Sequence, residues 1–224
     1  MGILYAVATP IGNLEDITLR ALRILKEVDL IAAEDTRKTR KLLSHYSIHT
    51  PLTSYYGRDR KADYLIATLK RGKNVAIVSE AGTPGISDPG YPLIKKAIEN
   101  GITVQSIPGP CAAISALVVS GLPTDGFIFT GFLPRKKGKL TKRLKELFNF
   151  EKTVIFYESP NRVLATLEVV KENFGEVNVV IARELTKKFE EVVRGSIDNV
   201  LTLLEKKEIK GEVIILLHKL PIGV

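Results

Sequence analysis

The 224-residue sequence predicts an α/β fold built as two layered halves. Three observations carry that expectation. Short apolar runs alternate with helical periodicities through the first half, the pattern of a parallel sheet covered by helices on both faces. The stretch 121–126, Gly-Leu-Pro-Thr-Asp-Gly, then interrupts the alternation with turn residues. Beyond it the strands resume, but one at 190–194 follows its predecessor without a full helix between, so the second sheet is predicted to be mixed. The expected division is a first domain over residues 1–120, a linker over 121–126 and a second domain over 127–224.

Residues 3–8 are the first predicted strand, followed by the turn Thr9-Pro10-Ile11-Gly12-Asn13. Leu19, Leu22, Leu25 and Val28 recur at helical spacing, and Asp16 is placed to cap that helix over 18–27. A strand at 30–33 precedes a basic helix at 36–43, which Asp35 can cap. A short strand at 52–55 leads to a helix at 59–71 closed by Gly72. Residues 75–78 are a buried strand, 91–100 a helix closed by Gly101, 103–107 a strand and 112–120 a helix. The second half offers strands at 127–130, 154–157, 179–182, 190–194 and 212–218, with helices at 140–148, 161–173 and 197–206. Pro160 suits a first helical turn, with Ser159 as its cap.

Composition narrows the classes. With 45% hydrophobic residues and no tract of eighteen apolar ones, no membrane span is predicted, and a chain of this length buries about 70% of its unfolded surface. The first residues lack the basic flank of a signal peptide, and Ala6 stands where a myristoylation motif wants a hydroxyl. A single cysteine, Cys111, excludes an intramolecular disulfide, and a cytoplasmic location is expected. His45, His49 and His218 share no metal-ligand spacing with cysteine or acid, so no metal is expected; His45 and His49 bracket a helix end, where surface roles fit them better. The net charge of +8 is local. Arg135, Lys136, Lys137, Lys139, Lys142, Arg143 and Lys145 stand within 135–145 with no acid among them. Such a cluster suits a polyanion, the alternative being a solvated helix face.

The strongest local signal is 79–90. The strand 75–78 empties into a loop holding Gly82, Gly85, Gly90, Pro84 and Pro89, with Glu80, Ser87 and Asp88 between them. Ligands of open α/β sheets bind beyond the carboxyl ends of strands, so this loop reads as a glycine-lined floor for a small molecule. A long strand-to-helix turn is the plainer alternative. Other unusual loops lie at 9–16, 34–37 and 108–111; the second half adds Glu158-Ser159-Pro160-Asn161-Arg162 and Arg183-Glu184-Leu185-Thr186. A site between the halves is the default expectation. Phosphate-loop, dinucleotide and nucleophile-elbow signatures are absent, which leaves a nucleoside cofactor held by backbone contacts compatible with the pattern.

Six ordered motifs carry a family resemblance. The segment from Leu4 through Thr9-Pro10-Ile11-Gly12-Asn13-Leu14-Glu15-Asp16, then Ala33-Glu34-Asp35-Thr36-Arg37, and the 79–90 loop resemble the tetrapyrrole-methylase-like methyltransferases. Ile107-Pro108-Gly109-Pro110, Phe156-Tyr157-Glu158-Ser159-Pro160-Asn161-Arg162 and Ala182-Arg183-Glu184-Leu185-Thr186-Lys187-Lys188 fit the branch that methylates a cytidine ribose of small-subunit ribosomal RNA. Many members carry a further C-terminal segment, to which nothing after the last predicted strand corresponds. Small-molecule members have an aspartate where Thr83 stands, which points away from a tetrapyrrole acceptor.

The resemblance implies the two-domain fold of that family, S-adenosylmethionine bound in the interdomain cleft, the small ribosomal subunit or its RNA as partner, and a homodimer. It implies cofactor contacts from Pro10, Gly82, Thr83, Pro84, Ser87, Asp88, Pro108, Cys111 and Ala112, and from Tyr157, Leu185, Gly211 and Val213. A ribose hydroxyl is weakly acidic, so a carboxylate base is wanted; Asp88 and Glu158 are the leading candidates, with Glu80 and the pair Glu34-Asp35 behind them, and a cap or ion-pair role is the plainer alternative for each. RNA contacts are expected from Arg37, Arg135, Lys136, Lys137, Lys139 and Arg162, with Arg183 another cation suited to phosphate or to an acid. Tyr55 and Tyr56, beside Arg58 and Arg60, can stack an unpaired base, but at least one of the two is expected to pack in the core. Two rival readings stay open: methylation of a tetrapyrrole or another acidic metabolite, and an RNA-binding assembly module without turnover.

Overall fold

Five short strands of three or four residues pair as a parallel sheet in the computed structural model, which describes residues 1–57 and 59–219. Its strands are β1 (Leu4–Val7), β2 (Leu30–Ala33), β3 (Leu52–Ser54), β4 (Val75–Val78) and β5 (Val104–Ile107), in the order β3-β2-β4-β1-β5. Between them run α1 (Leu19–Glu27), α2 (Thr36–His45), α3 (Asp59–Lys70) and α4 (Gly90–Glu99). One face of the sheet buries Val7, Ile31, Ala33 and Val78 against Ile24, Leu25, Leu42 and Leu43 of α1 and α2. The other buries Leu4, Ala32, Val75 and Ile77 against Leu65 and Leu69 of α3 and Leu93 of α4. Each such leucine contributes about 1.5–3 kcal/mol of transfer free energy. Central β4 is buried at all four positions, as a strand covered on both faces must be.

The chain divides into two compact units, Met1–Cys111 and Ala112–Val224. The second unit begins with α5 (Ala112–Val118), continues with β6 (Phe127–Phe132), α6 (Lys137–Phe148), β7 (Thr153–Glu158) and α7 (Val163–Phe174), and ends with β8 (Val177–Arg183), β9 (Glu191–Ser196), α8 (Ile197–Glu205) and β10 (Val213–Lys219). Its sheet runs β6-β7-β10-β8-β9 and is mixed as the pattern predicts: β6 and β7 are parallel, the other pairings antiparallel. The 121–126 stretch does not part the units. The helix before it, α5, packs against β10 and β7 of the second sheet and so falls with the second unit.

Two capping expectations change, and the expected core tyrosine is found. Thr18, not Asp16, caps α1: its side chain accepts from the Ala21 amide at 3.1 Å, while Asp16 closes a 3-10 turn over Leu14–Asp16. Ser159 holds the cap position of the 3-10 turn Pro160–Arg162 but makes no side-chain cap hydrogen bond. Tyr55 is 1% exposed and belongs to the core, leaving Tyr56 as the exposed ring of that pair; Arg58 lies outside the described residues. Asp35 does cap α2, accepting from the Arg37 amide at 2.7 Å and the Lys38 amide at 3.3 Å.

Candidate active site

In a parallel sheet every strand ends on the same edge, so β1, β2, β4 and β5 deliver the loops beginning at residues 8, 34, 79 and 108 side by side. Hydrogen bonds tie those loops together. Thr9 and Gly82 exchange backbone bonds of 2.9 and 3.0 Å, joining the turn after β1 to the loop after β4. Thr83 Oγ1 donates to the Pro110 carbonyl at 3.0 Å, joining that loop to the one after β5. Threonine makes this bond because its hydroxyl carries a proton, which an ionised carboxylate at position 83 would lack.

Backbone conformation favours glycine where these loops meet. Gly82 has φ +84°, and a Cβ there would stand 3.4 Å from Ile11 Cγ2 and 3.6 Å from the Pro110 carbonyl. Ser87 takes φ +64° without being glycine, a conformation costing about 1–3 kcal/mol that is concentrated at ligand sites. Asp88 stabilises it: Oδ1 accepts from the Gly85 amide at 2.8 Å and the Gly90 amide at 2.6 Å. Asp88 therefore staples the loop with one of its two oxygens.

The remaining acids separate by surroundings. Glu34, half-buried at the end of β2, has its carboxyl held above the usual range, first by burial and then by the Asp88 and Asp35 charges, with Lys38 opposing. Its Oε2 accepts from the Glu80 amide at 3.4 Å. Glu80 itself is ion-paired with Lys38. Asp35 is held low by the Arg37 amide and side chain and is committed to the cap. In the second unit the Glu158 side chain is fully buried, with Oε1 accepting from the Ser159 amide at 2.8 Å and pairing with Arg162 at 3.1 Å, and Oε2 accepting from Thr166 at 2.8 Å. Both Glu158 oxygens are therefore engaged by partners within the second unit. Arg162 also donates from its second terminal nitrogen to the Pro134 carbonyl at 3.3 Å. Arg183 is likewise bound, to Glu191 at 2.7 Å. Arg37 remains largely exposed.

The expected cofactor residues of the second unit gather at one end of its sheet. Register sets Val213 opposite both Glu158 and Arg183, with Tyr157 opposite Ile214. Leu185 sits between Glu184 at φ +50° and Thr186 at φ +65°, two left-handed residues in one loop. That loop is locked to β10: the Glu184 amide donates to the Glu212 carbonyl at 3.0 Å, the Glu212 amide returns to Glu184 Oε1 at 2.9 Å, and Lys187 bridges both carboxylates. These bonds hold the Glu184 carboxyl low, the Glu212 amide first and Lys187 next. Gly211 has φ +84°, which favours glycine, and a Cβ there would stand 2.4 Å from the Glu184 carboxyl carbon and displace that side chain. Tyr157 stands edge-on to Phe129 and Phe132, at 5.0 and 5.6 Å between ring centroids. Spacing gave no signal for the left-handed pair around Leu185 or for the Asp88 staple.

Seven cations line α6 and its approach. The helix buries Leu140, Leu144, Leu147 and Phe148 and turns Lys139, Lys142, Arg143 and Lys145 outward. Two cations of the cluster are paired, Lys137 with Glu172 at 2.8 Å and Arg143 with Glu146 at 3.1 Å. Among the described residues no group of three or more His, Cys, Asp or Glu side chains is arranged to hold a metal ion. No helix among them is long and apolar enough to cross a membrane.

Strand-end loops cinched by glycines, together with the matches that follow, define a methyltransferase. The family model for tetrapyrrole (corrin/porphyrin) methylases matches residues 3–201, and the chain belongs to that family. It is 51% identical over 213 residues to the ribosomal RNA small subunit methyltransferase I of Halalkalibacterium halodurans, covering 94% of this chain and 74% of that one. It is 49% identical over 219 residues to the protein of the same name from Thermotoga maritima, covering 97% and 98%. Among solved structures it superposes on diphthine synthase with a TM-score of 0.77 at 14% identity (97% and 90% covered). It superposes on cobalt precorrin-4 methyltransferase at 0.70 and 16% (96% and 94%). At such identities these two likenesses show the fold.

Proposed function

We propose that this chain methylates the ribose 2′-hydroxyl of a cytidine in 16S ribosomal RNA, using S-adenosylmethionine, on the small subunit or its RNA, as a cytoplasmic homodimer. The observation that carries the reading is near-half identity, over almost the whole chain, to two relatives that bear a small-subunit RNA methyltransferase name. Pro10, Gly82, Thr83, Pro84, Ser87, Asp88, Pro108 and Cys111 are proposed as donor contacts of the first unit; Ala112, Tyr157, Leu185, Gly211 and Val213 are those of the second. The glycine-lined meeting of the loops suits a nucleoside held by main-chain atoms.

The donor, when bound, supplies a methyl group already electrophilic on a positively charged sulfur. What remains for the protein is orientation, worth roughly 7–11 kcal/mol, and removal of one proton. Glu34 is the proposed base: the hydroxyl gives its proton to this carboxylate as its oxygen takes the methyl group. Burial and the neighbouring Asp88 charge raise the proton affinity of Glu34, which is the direction a proton acceptor needs. Arg135, Lys136 and Lys139 are the proposed phosphate contacts, with Arg37. Positive charges around the first turn of α6 oppose its own dipole, and a phosphate there relieves the conflict.

The test supplies tritiated donor with small subunits from cells lacking the enzyme, and in parallel with a porphyrinogen. Label in a 2′-O-methylcytidine of the RNA, found by mass spectrometry of its nucleosides, is the expected result. Label in the porphyrinogen alone, or in neither with donor bound, overturns the reading.

A further inference from the structure

A pocket of about 180 Å³ opens beside these loops in the first unit, bounded by the turn after β1, by α2 and by the loop after β4. Leu14, Leu42 and Pro10 form apolar walls, with Thr9, Lys41 and Glu80 as polar ones. Its size decides what it admits. Drug-sized ligands need about 300 Å³ or more, so neither a macrocycle nor a whole dinucleotide fits, while one flat ring does.

Two polar features point to an occupant. Thr9 is 3% exposed, lines the pocket, and its Oγ1 has no hydrogen-bond partner among the described residues. Its backbone is fully engaged with Gly82, so the hydroxyl is what this position offers to a ligand. Lys41, on the exposed face of α2, makes no ion pair among the described residues, whereas Lys38 on the turn before it holds Glu80. The pocket thus combines a buried hydroxyl, a carboxylate fixed by a lysine and an unpaired cation on apolar walls. A carboxylate accepts the exocyclic amine of cytosine, and an ammonium binds phosphate. Glu34 hydrogen-bonds the Glu80 amide, which sets the proposed base against the wall of this pocket.

We propose that this pocket receives the acceptor nucleotide, a cytidine turned out of its RNA, with its ring between Leu14, Leu42 and Pro10, its amine on Glu80 and its phosphate on Lys41. The inference rests on the methyl-transfer reading above and names where its substrate sits. A base turned out of its strand leaves stacking behind and needs such a receptor.

Thr9→Val keeps shape and removes only the unpartnered hydroxyl; Lys41→Glu reverses an exposed charge. Both variants are compared with wild type for thermal midpoint, donor affinity by calorimetry, kcat and KM on small subunits, and binding of cytidine 5′-monophosphate by nuclear magnetic resonance. Melting no lower than wild type and donor binding within about twofold are expected, with kcat/KM down about tenfold for Thr9→Val and KM up about tenfold for Lys41→Glu. Wild-type kinetics in both variants overturn the pocket and leave the reaction standing. If the wild type transfers no methyl to small subunits, the nucleotide probe decides: binding lost in Lys41→Glu keeps the pocket and sinks only the reaction. Failure to bind the probe then overturns both.

Discussion

At Glu34, burial and the neighbouring Asp88 carboxylate disfavour the charged form, so this residue costs the fold something near neutral pH. A carboxyl whose folded proton affinity is raised contributes stability at low pH and loses it as pH climbs through the raised value. Glu34→Gln removes that cost and leaves an oxygen to accept from the Glu80 amide. It is expected to melt no lower than wild type, to bind donor normally and to lose about 10²–10³-fold in kcat. The acid limb of the wild-type kcat profile should have its midpoint above the ordinary glutamate value of about 4.3. An unchanged kcat in Glu34→Gln would remove it as the base. Sequence offered this residue only as one of the pair Glu34-Asp35, behind Asp88 and Glu158 and beside Glu80. Ranking needed hydrogen-bond partners contributed by residues remote in sequence or by folded loops: Thr166 on Glu158, the Gly85 and Gly90 amides on Asp88, Lys38 on Glu80.

Elements were legible where periodicity is long and apolar. The alternation of strand and helix, the mixed second sheet and the outward basic face of α6 all follow from patterns of two and 3.6 residues. What pattern could not give is partnership. Lys137 looks like its neighbours in the 135–145 run, yet it is paired with Glu172 of α7, thirty-five positions on. Lys136 and Lys139 carry no such partner among the described residues and are the better probes. Reversing both to Glu is expected to weaken binding to small-subunit RNA and to flatten its salt dependence, by nearly one unit of log–log slope for each phosphate left without its cation. Donor affinity should stay unchanged. Equal loss of RNA and donor binding would mean the face supports the fold instead. The same blindness to partners explains α5, whose helical pattern is plain but whose packing on β7 and β10 is not written in it.

Each unit carries its own core, and the second is also cross-linked by charge at both margins of β8. Glu184 is held low by the Glu212 amide and Lys187, and Glu191 by Arg183 and Lys207. A depressed carboxyl contributes stability above its unfolded value and loses it as pH falls through the folded one. Unfolding of the whole protein in urea, followed by circular dichroism, should therefore show stability declining below about pH 4.3. In Glu191→Gln that decline should be shallower, with a lower plateau at neutral pH; an identical pH profile would show that the pair contributes nothing. Such bonds join Arg183 to Glu191 and Glu184 to Glu212 only after strands have paired.

The amino-acid order alone determined the α/β class, the two sheets, the glycine loop at 79–90 and the basic run, because periodicity, turn chemistry and charge are local properties of a chain. Which acid is desolvated, which cations are already engaged and where a buried hydroxyl meets a ring-sized pocket were decided by tertiary structure. Desolvation and pairing depend on neighbours that the fold, and not the sequence interval, brings within hydrogen-bonding reach.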